Sequence, residues 1–246
     1  MTSPPLLEVK SLSKRFNGFV ALSEIDFTVR PGERVGLIGP NGSGKSTFVN
    51  CVAGALRHDL GSVRFAGHAM DSLLAHQRAR LGLARSFQLP RPFPSMSVAQ
   101  NLRIPLIYSV SARPGGYLDE RTVARRVGEL LDLVGLNGKG TNRPVDLTQV
   151  DLRKLDLARA MATEPRLLIA DEAMAGLSHS EVDSILELLF RLNADGVAVI
   201  MIEHIMRAVT TFSERLVVFV TGRKIADGLP REVIKMSEVE RTYLGE

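Results

Sequence analysis

The sequence is poor in cysteine, in aromatic residues and in long apolar runs. Its 246 residues include one cysteine, no tryptophan and 5% aromatic residues. A single cysteine, Cys51, excludes a disulfide within the chain, which fits a reducing compartment. The apolar runs at residues 197–202 and 216–220 have the length of strands, whereas a membrane-spanning helix needs roughly 18 residues. If the protein works at a membrane, we expect another chain to hold it there.

The net charge of the chain is small, and its first residues do not match a secretory signal peptide. The 31 basic and 27 acidic residues give a net charge of +4. The sequence has no long run of lysine or arginine, so we do not expect a nucleic-acid-binding tail. Residues 1–5 are polar and proline-rich, without the basic-then-apolar order of a secretory signal. The apolar fraction of 45% is sufficient for a sizeable core, so we expect a folded globular chain.

Short apolar strands alternate with helical patterns along most of the chain. This alternation predicts an α/β fold whose parallel sheet is covered on both faces. Between residues 89 and 148 prolines cluster, and apolar residues follow helical spacing before a stop at Gly135. We predict one domain in which residues 1–88 and 152–246 form the core with a β subdomain, and residues 89–151 form a helical subdomain. Predicted strands are residues 6–9, 25–29, 34–38, 61–65, 167–170, 197–202 and 216–220; predicted helices are 45–55, 118–134, 152–163, 181–192, 206–212 and a segment from 232 onward.

The run GPNGSGKS at residues 39–46 matches the phosphate-loop pattern G-x-x-x-x-G-K-[ST]. An apolar strand precedes it and a helix follows, as that loop requires. Its glycines let backbone N–H groups surround a phosphate, and the helix presents its positive end to the same anion. We expect Lys45 to reach the outer phosphates and Ser46 to bind Mg²⁺. The predicted phosphate-binding residues of the loop are Gly39, Pro40, Asn41, Gly42, Ser43, Gly44, Lys45, Ser46 and Thr47.

Two carboxylates, Asp171 and Glu172, follow the apolar run at residues 167–170. A strand parallel to the phosphate-loop strand would bring Asp171 beside the Mg²⁺ ion, which is the Walker B arrangement. Glu172 would then orient the attacking water. The alternative interpretation is that two acidic residues simply begin a loop.

His204 follows the apolar strand at residues 197–202. Ligands of open α/β sheets bind at the carboxyl ends of the strands, so this histidine is expected to contact the terminal phosphate or the water. The alternative is a structural histidine.

These motifs, in this order, resemble the ABC ATPase family over nearly the whole chain. The resemblance implies a P-loop NTPase with a RecA-like parallel-sheet core, an N-terminal antiparallel β subdomain and an inserted α-helical subdomain. It places Phe16 against adenine and makes Gln88, in the Q-loop, a sensor of Mg²⁺ and the attacking water. It assigns Ser178 to the D-loop, between two ATPases, and makes His204 the switch histidine. Catalytic residues would be Glu172, His204 and Gln88; metal ligands would be Ser46, Gln88 and Asp171.

Finer features look like one branch of that family, the ATP-binding subunits of branched-chain amino acid importers, whose relatives handle urea or short amides. The segments that carry this resemblance are RSFQ at 85–88, AMAGL at 173–177, IEHIM at 202–206 and YLGE at 243–246.

Two departures from the family pattern stand out. The signature Leu-Ser-Gly-Gly-Gln corresponds to LTQVD at residues 147–151, where Thr148 keeps a hydroxyl and Val150 replaces a glycine. A β-branched residue disfavours a positive φ and adds bulk. We therefore expect weakened contact of Thr148, Gln149 and Val150 with a partner's ATP, so that one composite site of a heterodimer is slower. The second departure is Ala173, which replaces a common proline.

The resemblance implies an ATPase subunit of an importer, with ATP and Mg²⁺ as cofactors. The implied partners are a second ABC ATPase in a head-to-tail dimer, two transmembrane permease subunits and an extracytoplasmic solute-binding protein, with no nucleic acid. The implied location is the cytoplasmic face of the plasma (inner) membrane, as a peripheral protein. Two alternatives remain open: a binding-only or weakly hydrolysing regulatory subunit, and a non-transport ABC ATPase acting on DNA or ribosomes.

Overall fold

Two β-sheets organise the chain in the computed structural model, which describes residues 4–244. The smaller sheet is antiparallel and has the strand order β2-β1-β4-β5. It lies at the N-terminal end of the chain, as the family resemblance implies. Its strands are β1 (Leu7–Phe16), β2 (Phe19–Val29), β4 (Leu60–Phe65) and β5 (His68–Ala69).

The larger sheet has the order β10-β9-β3-β8-β7-β6. Its strands from β9 to β6 pair in parallel, and β10 runs antiparallel at one edge. Consequently β3, β8, β7 and β6 all end at the same edge of the sheet. The strands are β3 (Arg34–Ile38), β6 (Leu83–Ser86), β7 (Leu167–Asp171), β8 (Ala198–Ile202), β9 (Arg215–Val220) and β10 (Arg223–Gly228).

Two hydrophobic clusters cover the faces of the larger sheet, because alternate strand residues point to opposite sides. Leu168 and Ala170 of β7 belong to one cluster, whereas Leu167 and Ile169 belong to the other. Strands β7 and β8 each have a neighbour on both sides and are buried throughout, which explains their continuous apolar sequences. The helices associated with this core are α1 (Lys45–Ala53), α2 (Ala75–Arg80), α6 (His179–Ala194), α7 (Met206–Phe212), α8 (Pro230–Val233) and α9 (Ser237–Leu244).

A helical insert separates β6 from β7. It consists of α3 (Val98–Pro105), a π-helical turn (Leu106–Val110), α4 (Glu120–Val134), a 3₁₀ turn (Pro144–Asp146) and α5 (Gln149–Met161). Asp119 caps α4 by accepting a hydrogen bond from Thr122 N at 2.7 Å, and Gly135 ends it with φ 69°. The predicted helix and its stop are therefore confirmed.

Several predicted boundaries differ from the structure. The division between residues 151 and 152 falls inside α5, which begins at Gln149 because Thr148 caps it. Helix α1 ends at Ala53, before the predicted residue 55, since Gly54 adopts φ 80°. The short elements β5, β6, β10, α2 and α3 were not predicted. Of the C-terminal YLGE run, Gly245 and Glu246 lie outside the described residues. No helix within residues 4–244 is long and apolar enough to cross a membrane.

Gly36 in β3 shows how tightly the core is packed. A Cβ atom there would lie 2.6 Å from Ser213 Oγ and 2.8 Å from Val209 Cγ1. We predict that Gly36→Ala lowers the free energy of unfolding by about 1–3 kcal/mol, because neighbouring side chains must shift. Urea denaturation measures the change. Gly128→Ala in α4 is the matched control: no atom lies within 4 Å, so alanine should stabilise the chain by about 0.5–1 kcal/mol. Equal effects of the two substitutions would contradict this account.

Candidate active site

The phosphate loop connects the end of β3 to the start of α1 and depends on glycine at two positions. Gly39 has φ 156°, and a Cβ atom there would lie 2.2 Å from the carbonyl oxygen of Phe219. Gly44 has φ 101°, and its Cβ would lie 2.7 Å from the carbonyl oxygen of Ala21. Both the conformation and the close backbone approach therefore require glycine.

Lys45 is buried within this loop. Its Nζ donates to the carbonyl oxygens of Gly39 at 2.6 Å and Pro40 at 3.0 Å, and contacts Ser43 Oγ at 3.5 Å. Desolvation lowers the pKa of Lys45, while the negative charges of Glu172 and Asp171 act in the opposite direction. Within residues 4–244 no carboxylate forms an ion pair with this ammonium. A buried cation held by neutral oxygens fits an anionic ligand.

A cavity of about 310 Å³ lies along the phosphate loop. Phe16, at the end of β1, contributes an aromatic ring that is 44% exposed. Glu172, which directly follows β7, lines the same cavity. Seven of the nine predicted loop residues therefore share one space with the predicted adenine-stacking residue and the predicted catalytic carboxylate, whereas Gly39 and Pro40 are not among its lining residues. The loop residues that line it are Asn41, Gly42, Ser43, Gly44, Lys45, Ser46 and Thr47.

Glu172 is fixed by both its backbone and its side chain. Its φ of 48° is unusual for a residue other than glycine, and its N–H donates to Ile202 O at 2.9 Å. Oε2 accepts a hydrogen bond from Gln88 Nε2 at 2.5 Å, and Oε1 lies 3.2 Å from His204 Nε2. The three predicted catalytic side chains are thus in contact. Backbone strain of this kind persists where the surroundings hold it in place, which is common at functional sites.

Asp171 ends β7 and is 7% exposed. Its Oδ2 accepts a hydrogen bond from Arg85 Nη2 at 2.6 Å, and Arg85 Nη1 donates to Asn50 Oδ1 at 2.6 Å. The guanidinium therefore orients the carboxylate and balances its charge. Neither Arg85 nor Asn50 was predicted as a site residue, since the two contacts join distant parts of the chain.

The signature residues lie at the beginning of α5, outside the set that lines the cavity. Thr148 caps the helix: its Oγ1 accepts from Asp151 N at 3.2 Å. Val150 lies in the first helical turn and is absent from the residues with positive φ. The expectation that a positive φ at this position would disfavour valine is therefore wrong, because the backbone of Val150 is right-handed helix. Val150 instead packs against the core. Thr148 and Gln149 are exposed.

Ser178, the predicted D-loop residue, also lies outside the cavity. It caps α6, and its Oγ donates to Glu181 Oε2 at 2.7 Å. Like Thr148 and Gln149 it is exposed at the start of a helix, and none of the three is among the residues that line the cavity.

Glu203 is a buried carboxylate that the sequence interpretation passed over. It is 3% exposed; Oε1 accepts from Met174 N at 2.8 Å, and Oε2 accepts from His204 N at 3.3 Å. Desolvation raises the pKa of Glu203 to about 7. The sequence feature that could have predicted this role is a glutamate directly after a buried strand. Glu203 connects the segment after Glu172 to the segment that carries His204.

The family model described as "ABC transporter" matches residues 22–175. The chain belongs to the ABC transporter family. Among curated proteins, the chain is 33% identical to the high-affinity branched-chain amino acid transport ATP-binding protein BraF of Pseudomonas aeruginosa, covering 99% of both chains. It is equally 33% identical, over 99% of both chains, to the high-affinity branched-chain amino acid transport ATP-binding protein LivG of Escherichia coli K12.

A solved structure supports the same family. The ADP conformation of MJ1267, an ATP-binding cassette of an ABC transporter, superimposes with a TM-score of 0.88 at 27% identity, over 99% of this chain and 100% of that one. The predicted fold and the resemblance to the branched-chain amino acid transport ATPases are therefore confirmed. The chain is an ATP-binding ABC ATPase.

The burial of Glu203 predicts a pH-dependent stability. Its folded pKa of about 7 lies above the ordinary value of 4.5, so the folded chain retains a proton that the unfolded chain has lost. The contribution of Glu203 to stability therefore falls as pH rises from about 5 to 7. We predict that Glu203→Gln becomes more stable relative to wild type across that interval, by on the order of 2 kcal/mol.

Urea denaturation at several values between pH 5 and 8 measures this difference. Glu187→Gln, on an exposed position of α6, removes the same charge and serves as the control. A stability difference between Glu203→Gln and wild type that does not change with pH would show that Glu203 is ionised throughout.

Proposed function

We propose that this chain hydrolyses ATP at the phosphate-loop cavity and drives a membrane importer. One observation supports this proposal: Glu172 lines the cavity, and its carboxylate accepts a hydrogen bond from Gln88 while contacting His204. Gly39, Pro40 and the other loop residues would surround the phosphates, Lys45 would turn from its loop carbonyls to the outer phosphates, and Phe16 would stack on adenine.

Mg²⁺ fits the oxygen donors available at the sheet edge. The hydroxyl of Ser46, the amide oxygen of Gln88 and the carboxylate of Asp171 are hard ligands, and Mg²⁺ in nucleotide sites is typically held by few protein groups together with phosphates. One Asp171 oxygen pairs with Arg85, which leaves Oδ1 for the ion or its water. When bound, the ion would neutralise charge that develops on the transferring phosphoryl group.

Glu172 would act on water at the γ-phosphate. Its carboxylate would accept a hydrogen bond from the water and point the oxygen at phosphorus, while His204 contacts the same region and Gln88 holds the carboxylate in place. As the water oxygen bonds to phosphorus, the bond between phosphorus and the bridging oxygen breaks. Glu172 would mainly orient the nucleophile and accept the water proton late, while the bridging oxygen would keep the electron pair of the broken bond and leave with ADP.

The site would be completed by a second ABC ATPase in a head-to-tail dimer. Thr148, Gln149 and Val150 do not line the cavity of their own chain and lie at the start of a helix, where a hydroxyl and backbone N–H groups favour an anion. They would contact the partner's nucleotide, with Ser178 near the boundary between the two ATPases. Val150 adds bulk beside that contact, which supports a slower composite site.

A groove between the core and the helical insert would receive the permease. It has a volume of about 390 Å³. Phe87, Phe93 and Tyr108 line it and are 48%, 41% and 66% exposed, an apolar surface beside the Gln88 loop. Exposed aromatic side chains clustered at a concave surface are typical of a protein-binding site.

The transported solute is proposed from the relatives. BraF and LivG are named for branched-chain amino acid transport, and this chain matches each along nearly its whole length. We therefore assign it to an importer of branched-chain or related amino acids, with two permease subunits and an extracytoplasmic solute-binding protein. It would bind peripherally at the cytoplasmic face of the membrane.

We predict that Glu172→Gln lowers the kcat of ATP hydrolysis by about 10²–10⁴-fold, because the carboxylate no longer orients and accepts from the water. ATP affinity should remain close to wild type, since Lys45 and the loop are unchanged. Phosphate release and binding of a fluorescent ATP analogue measure the two quantities. Glu129→Gln, an exposed substitution in α4, is the control. ATP hydrolysis at the wild-type rate in Glu172→Gln would contradict the proposed mechanism.

We predict that Tyr108→Glu reduces the amount of the chain that sediments with washed membranes by at least about tenfold, because a charge at an aromatic contact opposes docking. ATP affinity of the purified variant should not change. Tyr117→Glu is the matched control: Tyr117 is 84% exposed and lies outside the groove. Equal membrane association of both variants would show that the groove is not the docking surface.

A further inference from the structure

Arg153 of α5 is a buried side chain that bridges two loops of the active site. It is 8% exposed. Its Nη1 donates to the carbonyl oxygen of Gln88, with a longer contact of 3.5 Å to the carbonyl oxygen of Phe87, and Nη2 donates to Ala175 O at 3.3 Å. One guanidinium thus joins the Gln88 loop to the segment that follows Glu172.

Asp156, one turn further along α5, holds the same loop from its other side. Its Oδ2 accepts a hydrogen bond from Phe87 N at 2.8 Å, and the side chain is 6% exposed. Helix α5 therefore binds the backbone of residues 87–88 through an N–H on one residue and a carbonyl on the next. Such paired contacts fix both the position and the orientation of a short loop segment.

Both segments held by Arg153 lead directly to Glu172. Gln88, whose carbonyl accepts from Arg153, uses its side-chain Nε2 to donate to Glu172 Oε2 at 2.5 Å. Ala175, whose carbonyl also accepts from Arg153, donates its N–H to Glu172 O at 3.3 Å. Arg153 itself is not among the residues that line the nucleotide cavity, so it can act only through these neighbours.

The contact requires arginine in particular. A guanidinium presents several N–H donors in a fixed plane, whereas a lysine ammonium is a single point on a flexible stem. Arg153 Nε is buried and has no hydrogen-bond partner among the described residues. A buried donor without a partner lowers stability. We attribute the presence of arginine at this position to the hydrogen bonds that its guanidinium makes with the two loops.

We propose that Arg153 is a positioning residue for ATP hydrolysis, which ties Gln88 and residues 172–175 to the signature helix of the same chain. Because Thr148 begins that helix and Arg153 lies just over one turn later, a shift of α5 moves the Gln88 loop and the Glu172 segment together. This inference rests on the proposed roles of Gln88 and Glu172.

The first test compares Arg153→Lys and Arg153→Met with wild type. We expect both variants to lower kcat by about 10–100-fold, since a displaced catalytic group costs that much, while the dissociation constant of a fluorescent ATP analogue changes by less than about twofold. Arg103→Met is the control, because Arg103 pairs with Glu120 within the helical insert and, among the described residues, forms no hydrogen bond with residues 87–88 or 172–175. Wild-type kcat in Arg153→Lys would overturn the proposal, since the positive charge alone would then suffice.

A double-mutant cycle with Gln88→Ala tests whether Arg153 acts through Gln88. We expect Arg153→Lys to slow the Gln88→Ala enzyme much less than it slows wild type, because the group to be positioned is already missing. Reductions in kcat that multiply would overturn the proposal and leave Arg153 a general stabilising residue. ATP turnover that survives the Glu172→Gln substitution would instead refute the proposed catalytic role of Glu172, so the two failures are distinguishable.

Discussion

The parallel backbone pairing of β3, β8, β7 and β6 is the constraint on which the site depends. Ser86 pairs with Ala170, Asp171 pairs with Ile202, and Leu37 also pairs with Ile202. Every predicted catalytic loop therefore starts from the same edge of the sheet. Gln88, Glu172 and His204 each follow one of these strand ends by one or two residues, so their contact results from strand register.

Buried charge at this edge is the second determinant. Lys45 has neutral oxygens as partners, Asp171 has Arg85, and Glu203 is held by two backbone N–H groups. Each arrangement restricts where a side chain can point, and the desolvated ammonium favours a negatively charged ligand. The strained backbone of Glu172 is tolerated because the strand pairing and its side-chain partners hold it. Binding and chemistry thus depend on the same packed framework.

Much of this site could be predicted from the sequence because its motifs are local. The phosphate loop and the acidic pair combine a short apolar strand with adjacent functional residues, and that pattern is read without tertiary contacts. Strand β6 was missed because four residues, Leu83–Ser86, give too little periodicity. Arg85, Arg153 and Glu203 were missed as well, since their partners lie 86, 65 and 29 residues away along the chain.

Val150 shows where a family pattern misled the interpretation. Glycine in the family signature suggested a positive φ, but Thr148 caps α5 and places Val150 inside its first turn. We therefore attribute the proposed weakening of the contact to the bulk of valine and not to its backbone preference.

The central claim is that four strand ends act as one nucleotide site. Hydrogen exchange by mass spectrometry on the Glu172→Gln chain, with and without Mg²⁺ and ATP, tests it most directly. The account predicts slower amide exchange together at the phosphate loop and at the segments following β6, β7 and β8. Protection confined to the phosphate loop, with unchanged exchange around Gln88, Glu172 and His204, would contradict it.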